Sequence, residues 1–219
     1  MFPFLNMNLV DFISRVFVLV TAFSVHEFAH AWTANYFGDD TPRYNGRLTL
    51  NPLKHLDPLG SIMLMLVGFG WAKPVPVNPY ALQRRSPAAL MWVSLAGPMS
   101  NLLMAILAAV LFRLMMLVYG NIQSQTVLGF GLLVLYDFIS INLLLMLFNL
   151  IPIAPLDGEK VAEYLLPPSA SQVLESIRPF GPMILMAVLF IGPMVGLPII
   201  NWIITGPMNA LLGLLVGIN

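Results

Sequence analysis

The chain has 219 residues, 58% apolar and 9% charged, with no net charge and no cysteine. Ordinary soluble domains carry ~25% charged residues, so this much apolar surface excludes a soluble single-core fold and points to a lipid bilayer as the solvent. The absence of a basic run excludes nucleic acid as a partner, and the absence of cysteine excludes disulfides and thiolate metal sites.

A membrane helix needs ~20 mostly apolar residues. Four stretches qualify, at about residues 9–36, 88–119, 126–151 and 182–204. Ahead of the first there is no basic leader, since Arg15 is the first positive charge. That argues against a cleavable signal and for a retained first helix. Two further apolar pieces, 61–71 with Gly68 and Gly70 inside it and the tail 208–218, are too short to span and suggest re-entrant or interfacial segments. Residues 61–78, which run into Pro74 and Pro76, suit a re-entrant hairpin with a free edge. The 182–204 stretch contains Gly192-Pro193 and Gly196-Leu197-Pro198, compatible with one kinked helix or two shorter ones.

Basic residues collect in cytoplasmic loops. Arg43, Arg47, Lys54, Lys73, Arg84 and Arg85 fall within 37–87, and Lys160 and Arg178 within 152–181, whereas 1–14 and 120–125 have none. The predicted topology therefore has the N-terminus outside, 37–87 inside, 120–125 outside and 152–181 inside. The expected fold is an all-α integral membrane protein. It is a polytopic bundle of about four to six transmembrane helices with a short re-entrant or β-hairpin element, and residues 1–219 form a single membrane-embedded domain.

His26-Glu27-Phe28-Ala29-His30 spells HExxH inside the first predicted helix. A spacing of four puts both imidazoles on one helix face, one turn apart, where they can bind one Zn²⁺. Glu27 beside them can accept a proton from an attacking water. His26 lies ten residues from the inner end, about 15 Å deep at 1.5 Å per residue. Ionisable groups at that depth cost at least ~2.5–3.5 kcal/mol unless compensated, which argues for function over packing. A catalytic zinc takes three protein ligands. Position 36, where extended soluble-protease patterns have a third histidine, is Tyr36. The remaining candidates are His55, Asp57, Asp137, Asp157 and Glu159. Asp157 is the best placed: Pro152 and Pro155 end the preceding helix, Gly158 permits a tight turn, and such a break can return the carboxylate to the bundle.

HEFAH at 26–30 followed by Asn149-Leu-Ile-Pro-Ile-Ala-Pro-Leu-Asp157-Gly158 resembles the site-2 protease family of intramembrane zinc metalloproteases. The stretches Gly38–Gly60, Gly70–Pro79 and Ala96–Asn101 resemble its compact branch, without a PDZ or nucleotide-sensing domain. The resemblance covers about residues 21–160. It implies metal ligands at His26, His30 and Asp157, a catalytic base at Glu27, and a substrate-orienting or oxyanion role for Asn101. His55, Asp57 and Asn149 are expected around the site as supporting groups, the last together with Asn142, seven residues away on the same helix face. Asp137, mid-helix, is expected to pair with Arg15 or Arg113.

The predicted activity is an intramembrane zinc endopeptidase acting on transmembrane segments of other membrane proteins, in the cytoplasmic membrane of a prokaryote with the site toward the cytoplasm. The alternatives are a non-catalytic metal-binding relative and a metal transporter. Glu27 speaks against the first, because metal binding alone needs no base. The nearly uncharged outer half speaks against the second.

Overall fold

The structure is a computed structural model that describes residues 9–67, 70–119 and 127–217. The expectations for the N-terminal octet and for the loop at 120–125 lie outside those residues. In chain order the elements are α1 (Leu9–Tyr36), α2 (Thr41–Tyr44), a 3₁₀ turn (Pro52–Lys54), α3 (Pro58–Val67), α4 (Pro79–Arg85), α5 (Ala89–Tyr119) and α6 (Val127–Asn149). Then follow α7 (Asp157–Leu165), α8 (Pro168–Ile177), a 3₁₀ turn (Arg178–Phe180), α9 (Gly181–Met186), a π-helical turn (Ala187–Ile191), α10 (Gly192–Met194) and α11 (Ile199–Val216). Among the described residues, five helical stretches are long and apolar enough to cross a membrane: Leu9–Tyr36, Ala89–Val118, Val127–Asn149, Pro168–Met194 and Ile199–Val216. The protein is an all-helical integral membrane protein, as expected.

α5 is the central element and packs most extensively against α6 and α1. Its Ala105, Ala108 and Ala109 are small enough to bring α6 close, and Ile139, Leu143 and Met146 of α6 fill the seam. In lipid no hydrophobic drive joins two helices, so this close van der Waals contact carries the association. A polar tie adds to it: Arg15 on α1 meets Asp137 on α6 at 3.3 Å, which accounts for the mid-helix carboxylate. Arg113, the other candidate partner, instead donates to the carbonyls of Leu214 and Leu215 at the end of α11 (2.5 and 2.6 Å). The last carbonyls of a helix lack donors within it, so the guanidinium can serve them.

The 182–204 stretch takes the second of its two expected forms, while the tail and the 61–78 piece differ from expectation. Residues 182–204 do not form one helix. Gly196 turns the chain at φ +79°, a region that favours glycine, and α11 starts after Pro198, which has no N–H to continue the preceding ladder. The tail 208–218 is largely the second half of α11 and not a separate interfacial piece. Residues 61–67 are helical, as part of α3, and the extended chain begins at Trp71. It returns antiparallel to the loop before α3, where Leu56 bridges Ala72 and Lys73 donates to the carbonyl of His55 (2.7 Å). Gly60 and Gly70 permit this: a Cβ at Gly60 would lie 2.1 Å from the Trp71 oxygen, and one at Gly70 2.2 Å from the Gly60 oxygen. A short helix with an extended return therefore stands where the sequence suggested a hairpin.

Candidate metal centre

His26, Glu27 and His30 are buried on one face of α1, turned toward α5. Each imidazole is held through Nδ1: that of His26 donates to Oδ1 of Asn101 (2.6 Å), and that of His30 to the backbone oxygen of Val93 (2.7 Å), both on α5. With Nδ1 engaged in this way, each ring turns its Nε2, the nitrogen a metal would bind, inward. α5 can come this close because position 97 is glycine. A Cβ there would sit 2.4 Å from Nε2 of His30 and 2.6 Å from Cε1 of His26.

The third group arrives from the far end of α6. The chain breaks after Asn149, passes Pro152 and Pro155, and starts α7 with Asp157. Gly158 lets α7 pack back over the break, since a Cβ there would be 2.2 Å from the Leu150 oxygen. α7 then lies against α5, and Oδ2 of Asp157 comes to 3.2 Å from Nε2 of His26 and 3.4 Å from Nε2 of His30.

The three inward atoms fit a zinc ion. The two Nε2 atoms are 3.0 Å apart, and two lone pairs at that distance repel unless a cation lies between them. Oδ2 of Asp157 is buried with no hydrogen-bond partner. Tetrahedral zinc with ligands at ~2.0–2.1 Å separates its ligand atoms by roughly 3.3 Å, close to the edges of this triangle. Among the described residues, His26, His30 and Asp157 are the group able to hold a metal ion. Oε2 of Glu27 is likewise buried and unpartnered beside them.

The site opens into a cavity of about 640 Å³. Its lining includes the extended chain, with Trp71, Ala72, Pro74, Val75 and Val77, and residues of α6, α9 and α11. Asn149, the last residue of α6, lines it, with its amide donating to the Leu145 oxygen (2.9 Å).

The other predicted residues are placed as follows. Asn101 is fully buried, and its amide hydrogens point to Oδ1 of Asn142 (2.8 Å) and the Ala22 oxygen (3.5 Å). An oxyanion contact from Asn101 would have to displace one of these bonds. His55 is buried away from the triad, with Nε2 on the Thr49 oxygen (2.6 Å). Asp57 opens α3, its Oδ1 accepting from the Gly60 N–H (2.8 Å). Glu159 is buried in ion pairs with Arg178 (2.6 Å) and Lys160 (3.2 Å). Sequence reasoning missed the contacts of Gly97 and Val93: the first is a space and the second a backbone oxygen, and neither has a side-chain signature.

The sequence is similar to known metallopeptidases. The model of peptidase family M50 matches residues 14–192. "Putative zinc metalloprotease YwhC" of Bacillus subtilis is 43% identical over 180 residues, covering 82% of this chain and 80% of that protein. "Putative zinc metalloprotease Rip2" of Mycolicibacterium smegmatis is 33% identical over 189 residues, covering 81% of this chain and 68% of that protein. No solved structure matches. With a triad of zinc-ligand type, two of its members on a helix long enough to span, and these relatives, the chain belongs to peptidase family M50, the site-2 proteases, and is an integral membrane zinc metallopeptidase.

Proposed function

We propose that the protein is an intramembrane endopeptidase that cuts transmembrane segments of other membrane proteins, with residues 1–219 working as one domain. The observation that carries this reading is the position of the triad. Its two histidines sit within a helix long enough to span, His26 ten and His30 six residues from its end, which puts the chemistry below the membrane surface in this reading. In this reading His26, His30 and Asp157 hold the zinc, which when bound supplies a Lewis acid that polarises the scissile carbonyl and acidifies water. Glu27 takes the proton of the attacking water on its free carboxylate oxygen and delivers it to the leaving amine. Asn101 acts through His26, keeping its Nε2 turned toward the metal. Asn149 offers a polar group where substrate enters the cavity.

A helical substrate must unwind before attack, and in lipid each freed backbone group costs several kcal/mol unless paired. The extended wall supplies partners. Val75 and Val77 are the N–H-bearing residues of Pro74–Val77, both line the cavity, and no hydrogen bond among the described residues uses them. Strand addition along this wall would hold an unwound peptide beside the triad. The site faces the cytoplasm of a prokaryotic cell membrane, by the distribution of basic residues. The test is reconstitution in liposomes with single-span substrates. Wild type should cut within the span and Glu27→Gln should not; cleavage confined to soluble peptides would refute intramembrane action.

A further inference from the structure

In the sequence Arg47 is one of the six basic residues of 37–87. In the fold it is 4% exposed, with no carboxylate in ion-pair range among the described residues. Its guanidinium instead collects backbone oxygens from two segments: Lys54, at the end of the 3₁₀ turn, and Lys73 and Pro74 (both 2.7 Å), in the extended cavity wall. A planar group with five N–H donors can serve three carbonyls at once, whereas an ammonium is a compact point charge. Burial pulls Arg47 below its ordinary pKa, and the negative charge of Glu27 opposes that, so the group lies within electrostatic reach of the site.

The wall depends on such a tether. Pro74 and Pro76 have no N–H, so the chain between Lys73 and Asn78 cannot be held by a regular ladder. Its far end is fixed by Asp39, which accepts from the Asn78 N–H (2.6 Å). Its near end is fixed by the Lys73–His55 bond and by Arg47. Between these anchors lie Val75 and Val77, facing the cavity with free N–H groups.

We infer that Arg47 is a positioning residue for substrate: by gripping the carbonyls of Lys73 and Pro74 it sets the wall on which Val75 and Val77 receive the unwound peptide. The inference rests on the endopeptidase reading above. Arg47 touches neither metal ligands nor scissile bond, so its loss acts on substrate holding and not on chemistry.

The test uses the full chain in liposomes, a synthetic single-span substrate, and zinc content by mass spectrometry. Arg47→Lys should keep about one zinc and a kcat within about threefold, while KM for the span rises about tenfold or more, the pattern of lost substrate binding. Val75→Pro, which leaves Arg47 intact, should also raise KM with zinc retained. An unchanged KM in either variant overturns the proposal, as does loss of zinc or a fall in kcat alone in Arg47→Lys. If Arg47→Lys does not fold, Arg47→Gln takes its place with the same expected rise in KM, and an unchanged KM there overturns the proposal. A wild type that cuts no span sinks the endopeptidase reading itself, a result distinct from any of these.

Discussion

Asn101 and His26 meet side chain to side chain, with Nδ1 of the imidazole donating to Oδ1 of the amide at 2.6 Å, wholly inside the bundle. The amide is itself oriented, because its Nδ2 donates to Asn142 on α6, whose own Nδ2 donates to the Phe138 oxygen (2.8 Å each). Three helices thus agree on which nitrogen of His26 faces the triad.

Breaking that chain should weaken the metal site without removing a ligand. Asn101→Ala is expected to lower zinc affinity by about 10–100-fold, the usual cost of losing a group that orients a ligand. Asn142→Ala should act in the same direction and less strongly. Competition with a chelator of known affinity measures both, and wild-type affinity in Asn101→Ala would show that the amide orients nothing.

Metal and base should separate cleanly. Glu27→Gln removes a proton acceptor and no ligand, so zinc should stay at about one per chain while cleavage is lost. His26→Ala and Asp157→Ala should lose both. Full zinc in Asp157→Ala would rule out the triad, and His55 and Asp57, held elsewhere by Thr49 and Gly60, are poor substitutes.

Gly97→Ala isolates a steric effect. Alanine is the better helix former by ~1 kcal/mol, so any loss comes from the Cβ, which would sit 2.4–2.6 Å from the two imidazoles. Zinc binding and cleavage should fall together. Gly131→Ala on α6 is the control, since its Cβ would meet nothing nearer than 3.9 Å. Equal zinc content in the two variants would contradict the close approach of α5 to the histidines.

Orientation can be read by labelling, because the chain has no native cysteine. Arg84→Cys and Val127→Cys, probed singly with a membrane-impermeant reagent in right-side-out and inverted vesicles, should react from opposite faces. Reaction of both from one face would overturn the assigned topology.

Acid should loosen the connection between α7 and the Arg178 turn. Burial raises the Glu163 carboxyl, but hydrogen bonds from Arg178 (2.5 Å) and Lys160 (3.3 Å) outweigh it, and its pKa lies below the ordinary value. A carboxyl lowered by folding stabilises fully above its unfolded value of ~4.3, and that contribution is lost as pH falls through the lowered one. Limited proteolysis between α7 and α8 should therefore rise below about pH 4. In Glu163→Gln that acid dependence should be reduced; an identical profile in both proteins would remove Glu163 as its source.

The membrane class, the helical metal motif and most span positions follow from the sequence by itself. Apolar run length and the i, i+4 spacing of His26 and His30 are local properties, and the expense of ionisable groups in lipid makes them informative. Asp157 was favoured by the prolines and glycine around it, but its meeting with residues 127 positions upstream in the helix bearing His30 depends on α7 packing back against α5. The division of 182–204 at Gly196, and the helix in place of a hairpin over 61–67, were set by turns and contacts that composition does not distinguish. The work of Arg47, Gly97 and the Val93 carbonyl was decided by tertiary structure alone, because a buried cation among carbonyls, a missing Cβ and a backbone oxygen acquire meaning only when distant segments close around them.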